Sequence, residues 1–224
     1  MRTALVPMSC EAETVSMLRA LRARAPEYPN DGHDALFNAE QNALVARNAE
    51  RYYRTMVRGG ATSWNVRDRH MVETLDRLIA HHGPHSRAIV WEHNTHIGDA
   101  RFTDMARDGM VNVGQLVREA HGEHPAASDG VILIGLGTHR GTVIAGSEWG
   151  APMTRMRMPV ARAESWEDLL HRAIDNDGLL VFDGSDDGGI HGLEQLLDHR
   201  AIGVVYHPQA ERWGNYVPTI VPRR

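Results

Sequence analysis

The feature that most limits how this chain can fold is a change of period at Gly83-Pro84. Before it, apolar residues recur three and four positions apart, the spacing of amphipathic helices. After it come short apolar runs separated by glycines and polar turns, the pattern of strands alternating with helices. Glycine followed by proline also stops a helix. The chain therefore divides into a helical N-terminal part, residues 1–85, and an α/β part of the same domain, residues 86–224.

Helices are expected over residues 13–24, over 34–58 with Asp34 as N-cap, and from about Asn65 to His82. Tyr28-Pro29-Asn30-Asp31-Gly32 and Gly59-Gly60 separate them. Strands are expected over 87–92, 130–135, 141–145, 157–160, 178–183 and 202–206. The run 130–135 (GVILIG) is apolar enough to be buried on both faces. Helices are expected over 112–121, from Ser165 as N-cap to about 174, and near 192–199, with a last strand-like approach from Val217. The fold class is α/β: a mostly parallel or mixed sheet flanked by helices, with a helical N-terminal part.

Composition excludes several functions. All 24 basic residues are arginine, the net charge is −5 and no basic run stands out, so nothing favours a phosphate backbone. Cys10 is the single cysteine, which leaves no internal disulfide and no thiolate metal cluster. No run approaches the roughly 20 apolar residues of a membrane span, and the N-terminus has no basic-then-apolar leader. The expectation is a cytoplasmic protein with a small-molecule ligand, no nucleic acid and no membrane partner. The 14 histidines are the compositional hint of site chemistry.

Residues 87–101 (RAIVWEHNTHIGDAR) concentrate that chemistry. An apolar run delivers Glu92, His93, Asn94 and His96 to a strand end, where α/β proteins place reactive groups. A histidine near its ordinary pKa activates water or protonates a leaving group, and a carboxylate orients it. On a strand Glu92 and His93 face opposite ways, whereas in a loop His93 and His96 converge. The bland reading is a pair of surface loop histidines. A metal reading needs a third ligand, for which Asp99 and His70 are available, but the His-Glu-x-x-His arrangement is absent.

Other motifs carry less. Gly135-Leu136-Gly137-Thr138-His139-Arg140-Gly141 superficially resembles a dinucleotide-binding turn, yet a β-branched run follows where a helix is required. The acidic residue about 20 positions on is also missing, since Arg155 stands there. No Gly-x-Ser-x-Gly elbow exists. Arg67-Asp68, at an expected helix start, reads as a dipole-compensating pair. Trp149, in Trp149-Gly150-Ala151-Pro152, is either a packed turn residue or a wall for an apolar substrate.

Taken in order, these residues resemble the erythromycin esterase family. The resemblance rests on Asn65-x-Arg67-Asp68-x-x-Met71, Val90-Trp91-Glu92-His93-Asn94-Thr95-His96-Ile97-Gly98-Asp99-Ala100-Arg101 and Asn112-Val113-Gly114-Gln115-Leu116. It continues through Gly141-Thr142-Val143, Trp149-Gly150, Ser165-x-Glu167 and Gly203-Val204-Val205-Tyr206. It implies an α/β hydrolytic fold with a helical insert, and metal-free, cofactor-free hydrolysis of an ester, in the best-known members the macrolide lactone. His93 and His96 are then the catalytic candidates; Asn94 braces their loop, and Glu92, Arg67, Asp68 and Trp149 line the cleft. Family members carry a general-base histidine in an N-terminal Glu-x-x-His-Gly segment, which this sequence lacks. The resemblance thus implies an incomplete, erythromycin-esterase-like fold, trimmed at both ends. The alternatives are an inactive remnant or binding domain, a metal-dependent hydrolase, and a missing segment supplied by an upstream-encoded chain.

Overall fold

A computed structural model describes residues 10–24, 33–57, 60–122, 130–174, 176–181 and 195–220. About half of these are helical, and the strands form small antiparallel pairs. The helical part consists of α1 (Glu11–Ala23), α2 (His33–Met56) and α3 (Ala61–His82), close to expectation. Asp34 lies inside the first turn of α2 instead of capping it, and its Oδ1 is 2.8 Å from His81 Nε2 at the far end of α3. The break expected at residues 28–32 and Gly59 lie outside the described residues. α1 packs on α2 through Leu18, Ala43 and Leu44. α3 begins after Gly60 and ends at Gly83, whose φ of 97° is the left-handed conformation that glycine adopts without penalty.

After α3 the chain runs extended to α4 (Asn94–Ile97), a single turn, then through two 3-10 turns to α5 (Val113–His121). Asn112 explains why this stretch is compact. It is buried, and its Oδ1 caps α5 at the Gln115 amide (3.0 Å) and also accepts from the Ala100 amide (3.2 Å). Its Nδ2 donates to the Thr95 carbonyl at 2.9 Å. The start of α5 lies so close to the end of α4 that a Cβ on Gly114 would meet the Gly98 carbonyl oxygen at 2.1 Å. Only glycine fits there.

β1 (Gly141–Ala145) and β2 (Thr154–Met158) form an antiparallel hairpin, with Gly141 opposite Met158 and Ala145 opposite Thr154. α6 (Trp166–Ala173) starts behind Ser165, whose hydroxyl accepts from the Asp168 amide at 3.2 Å, as its N-cap role requires. β3 (Leu197–Arg200) pairs antiparallel with β4 (Tyr216–Thr219), and the short α7 (Glu211–Gly214) precedes β4. The expected helix near 192–199 is corrected here, since 197–200 is strand and 191–194 lie outside the described residues. Residues 202–206 form no strand, only a parallel bridge from Val205 to Gly146. Among the described residues, parallel pairing occurs only in such isolated bridges.

The larger departure concerns the apolar runs. Residues 87–91, 131–138 and 178–181 belong to no regular element and join no strand ladder, and 182–183 lie outside the described residues. Ile89 is 94% exposed, Trp91 86% and Ile132 79%, so 130–135 is not a strand buried on both faces. Patterning reports that a segment is suited to a sheet centre; it does not supply the neighbours. The apolar cluster that does form in this half comprises Ala145, Met158 and Tyr206, with Val143, Met156 and Ile202 against it. No helix among the described residues is long and apolar enough to cross a membrane.

Beneath that cluster lies a polar one. Arg200 is buried and donates from Nε and Nη2 to Glu211 Oε1 at 3.2 and 3.0 Å. Its remaining hydrogens reach the carbonyls of Thr138 (2.6 Å), His139 (3.2 Å) and Pro159 (3.0 Å). The Tyr206 hydroxyl donates to Glu211 Oε2 and the Tyr216 hydroxyl to Oε1. Burial, with the carboxylate next, pushes the Tyr206 phenol well above its ordinary pKa. This network ties β3, β4, α7 and the residues before β1 together.

Candidate active site

α3 presents Trp64, Arg67 and Asp68 at the three- and four-residue spacing of one helix face. Asp68 lies two turns inside α3 and is completely buried, so the reading of Arg67-Asp68 as a helix-start pair is corrected. The loop of His93 and His96 settles on this face. His96 stacks on Trp64 with ring centroids 4.6 Å apart and planes 3° from parallel. The Arg67 guanidinium lies 4.5 Å from the centroid of the same indole.

Donor arithmetic fixes the state of His96. Its Nδ1 is 2.9 Å from Asp68 Oδ2 and its Nε2 is 3.1 Å from Arg67 Nη2. A guanidinium only donates, so Nε2 holds the lone pair and Nδ1 carries the proton that Asp68 accepts. Asp68 Oδ1 lies 3.6 Å from Arg67 Nε and has no hydrogen-bond partner. Carboxylate, imidazole and guanidinium thus stand in line, stacked on a tryptophan.

His93 precedes α4 and caps it, with Nδ1 accepting from the Thr95 amide at 3.2 Å. Desolvation lowers its pKa; a bond to the Ile202 backbone opposes this, and the His96 and His199 imidazoles add to the lowering. Glu92 faces the same group. Its Oε2 is buried without a hydrogen-bond partner, and desolvation raises its pKa, opposed by His96 and Arg67 and assisted by Asp68.

A raised folded-state pKa gives stability that is present below the unfolded value of 4.5 and lost as pH rises through the folded value. At pH 7 the buried Glu92 carboxylate is therefore a cost. Glu92→Gln should melt above the wild type at pH 7, with the difference closing as pH falls below 4.5. Thermal melts at pH 7 and pH 4 check this. A gain equal at both pH values would show that charge is not the cause.

Sequence reasoning missed a second carboxylate–histidine pair. His199, on β3, lies with Nδ1 2.7 Å from Oε1 of the buried Glu167 in the first turn of α6. Burial disfavours the charged Glu167, but the hydrogen bonds from His199 and from the Arg200 amide outweigh it and hold the carboxyl below its ordinary range. Asn94 Nδ2 lies 2.9 Å from His199 Nε2, so this pair reaches the same loop. Glu167 was visible within Ser165-x-Glu167, and the histidine excess pointed to more imidazoles than two.

The remaining candidates stand apart. Trp149, in the β1–β2 turn, is 83% exposed, and no hydrogen bond or ring contact joins it to the histidines among the described residues. Asp99 is engaged by Arg101 (2.7 Å) and Arg118 (3.2 Å), and His70 Nδ1 by Asn48 (2.8 Å). Among the described residues, no three histidine, cysteine or acidic side chains converge as metal ligands.

The site holds imidazoles against buried carboxylates and sets the Arg67 guanidinium beside them; a carbonyl oxygen that takes Arg67 from His96 would leave the Nε2 lone pair free to meet water. No solved structure matches the chain. A family model described as erythromycin esterase matches residues 1–224, the whole chain. The esterase-like hydrolase that this match suggests agrees with a site built of oriented imidazoles, and the chain belongs to the erythromycin esterase family.

Proposed function

We propose that this histidine site hydrolyses a carboxylic ester by histidine-assisted attack of water, the lactone of a macrolide being the substrate class the family suggests. The observation that supports it best is the line Asp68–His96–Arg67, at 2.9 and 3.1 Å. Water oxygen adds to the carbonyl carbon, the bond to the alcohol oxygen breaks, and the water proton passes to the departing alkoxide. Acid and alcohol result. Arg67 turns from the His96 lone pair to the developing oxyanion, which frees His96 to orient the water together with His93, and Asn94 braces the loop. Glu92 and Asp68 set the field around the imidazoles.

The reading includes a completing polypeptide. The His96 lone pair is held by Arg67, and a family-type Glu-x-x-His-Gly base is absent from this sequence. The exposed runs 87–91 and 131–135, which join no strand ladder, offer backbone for a strand-forming chain carrying that base. The test is to incubate the purified chain with a macrolide and with simple esters, alone and with the polypeptide encoded immediately upstream. Expected is turnover lost in His93→Ala and His96→Ala. Turnover that survives both substitutions removes the assignment, and none under any condition removes the hydrolytic reading.

A further inference from the structure

We propose that His199, held by Glu167, is a positioning residue for the His93–His96 loop and acts through Asn94. Three atoms fix the argument. The Asn94 side chain forms a paired contact with one backbone unit, Nδ2 donating to the Leu136 carbonyl at 2.6 Å and Oδ1 accepting from the Leu136 amide at 3.1 Å. That pairing permits one orientation of the amide, since a flipped group would set N–H against N–H and oxygen against oxygen. The second hydrogen of Nδ2 then points to His199 Nε2 at 2.9 Å. Nε2 must be an acceptor, so the His199 proton is on Nδ1.

That proton goes to Glu167 Oε1 at 2.7 Å, an oxygen which also accepts the Arg200 amide at 2.9 Å. Glu167 is 4% exposed and sits just behind the Ser165 cap, and Ser165 bridges Asp198 beside His199. A rigid frame of α6 and β3 therefore specifies the tautomer of His199, and the tautomer specifies the acceptor that Asn94 meets. Asn94 is the first residue of α4 and lies between His93 and His96, so locking its side chain sets the direction of both imidazoles. Neither His199 nor Glu167 touches Asp68, His96 or Arg67, so a change at the His96 ring reports positioning through Asn94, whereas the His93 ring also feels the His199 imidazole directly. The effect on turnover rests on the hydrolytic reading above; the positioning itself does not.

The test compares imidazole nitrogen NMR of the full chain with kinetics on an ester. In the wild type, His199 should appear as the neutral Nδ1–H tautomer. His199→Gln places an acceptor oxygen near Nε2 and should leave the His96 resonances in place, with kcat near the wild-type value. His199→Phe keeps a ring but no acceptor; the His96 resonances should shift and kcat fall by about 10–100-fold with KM little changed. If the phenylalanine variant does not fold, His199→Met, flexible and without a comparable acceptor, takes its place. The proposal is overturned if His199 carries its proton on Nε2, or if a folded variant without the acceptor leaves the His96 spectrum unchanged. A wild type that turns over no ester would refute hydrolysis, while the spectra still decide the positioning.

Discussion

Asp68→Asn should lower ester turnover by about 10²–10⁴-fold, the range that oriented acid–base groups contribute. The carboxylate accepts from His96 Nδ1 at 2.9 Å, leaving Nε2 as the lone pair that meets Arg67. An asparagine amide that presents its NH2 group there reverses the tautomer and sets a protonated Nε2 against a guanidinium that only donates. Trp64 still holds the ring plane at a 4.6 Å centroid distance, so substrate binding should change less than kcat. Steady-state kinetics with circular dichroism as a folding control check this. An asparagine variant that is folded and fully active would mean His96 takes no part in proton transfer.

Glu211→Ala should cost about 3–5 kcal/mol of stability, because removing one member of a buried ion pair strands the other. Arg200 and Glu211 side chains are 4% and 2% exposed, and the carboxylate also accepts from the Tyr206 and Tyr216 hydroxyls. Truncation leaves a guanidinium and two phenols without their acceptor. Urea denaturation followed by near-ultraviolet signal reads the loss. Replacing Arg200 and Glu211 together with methionine should cost much less than the sum of the single changes, since neither charge is then left alone. A single substitution costing under about 1 kcal/mol would place the pair in water instead of the core.

Local chemistry was the legible part. The helix stop at Gly83-Pro84, the Ser165 cap and the strand at 141–145 follow from a few neighbouring residues, and structure agrees at each. His93 and His96 were legible because an apolar run ended on them. Asp68 was misread because a helix-start signal and a buried ligand of His96 look alike until the partner, 28 residues away, is known. His199 was hidden by a helix expected over 192–199, and its partners Asn94 and Glu167 lie 105 and about 30 residues off. Runs 131–138 and 178–181 show the opposite failure: correct strand chemistry with no ladder.

Among the described residues, the two apolar clusters, Leu18–Ala43–Leu44 in the helices and Ala145–Met158–Tyr206 beside the hairpin, are small and separate. Between them the chain relies on directional polar links such as Asn94 to Leu136 and His199. Cooperativity in folding comes from a shared apolar core, so such a molecule unfolds by parts instead of in one transition. Helical and aromatic signals should give different midpoints, and the loop of His93 and His96, lying at the seam, should exchange its amide hydrogens sooner than either cluster.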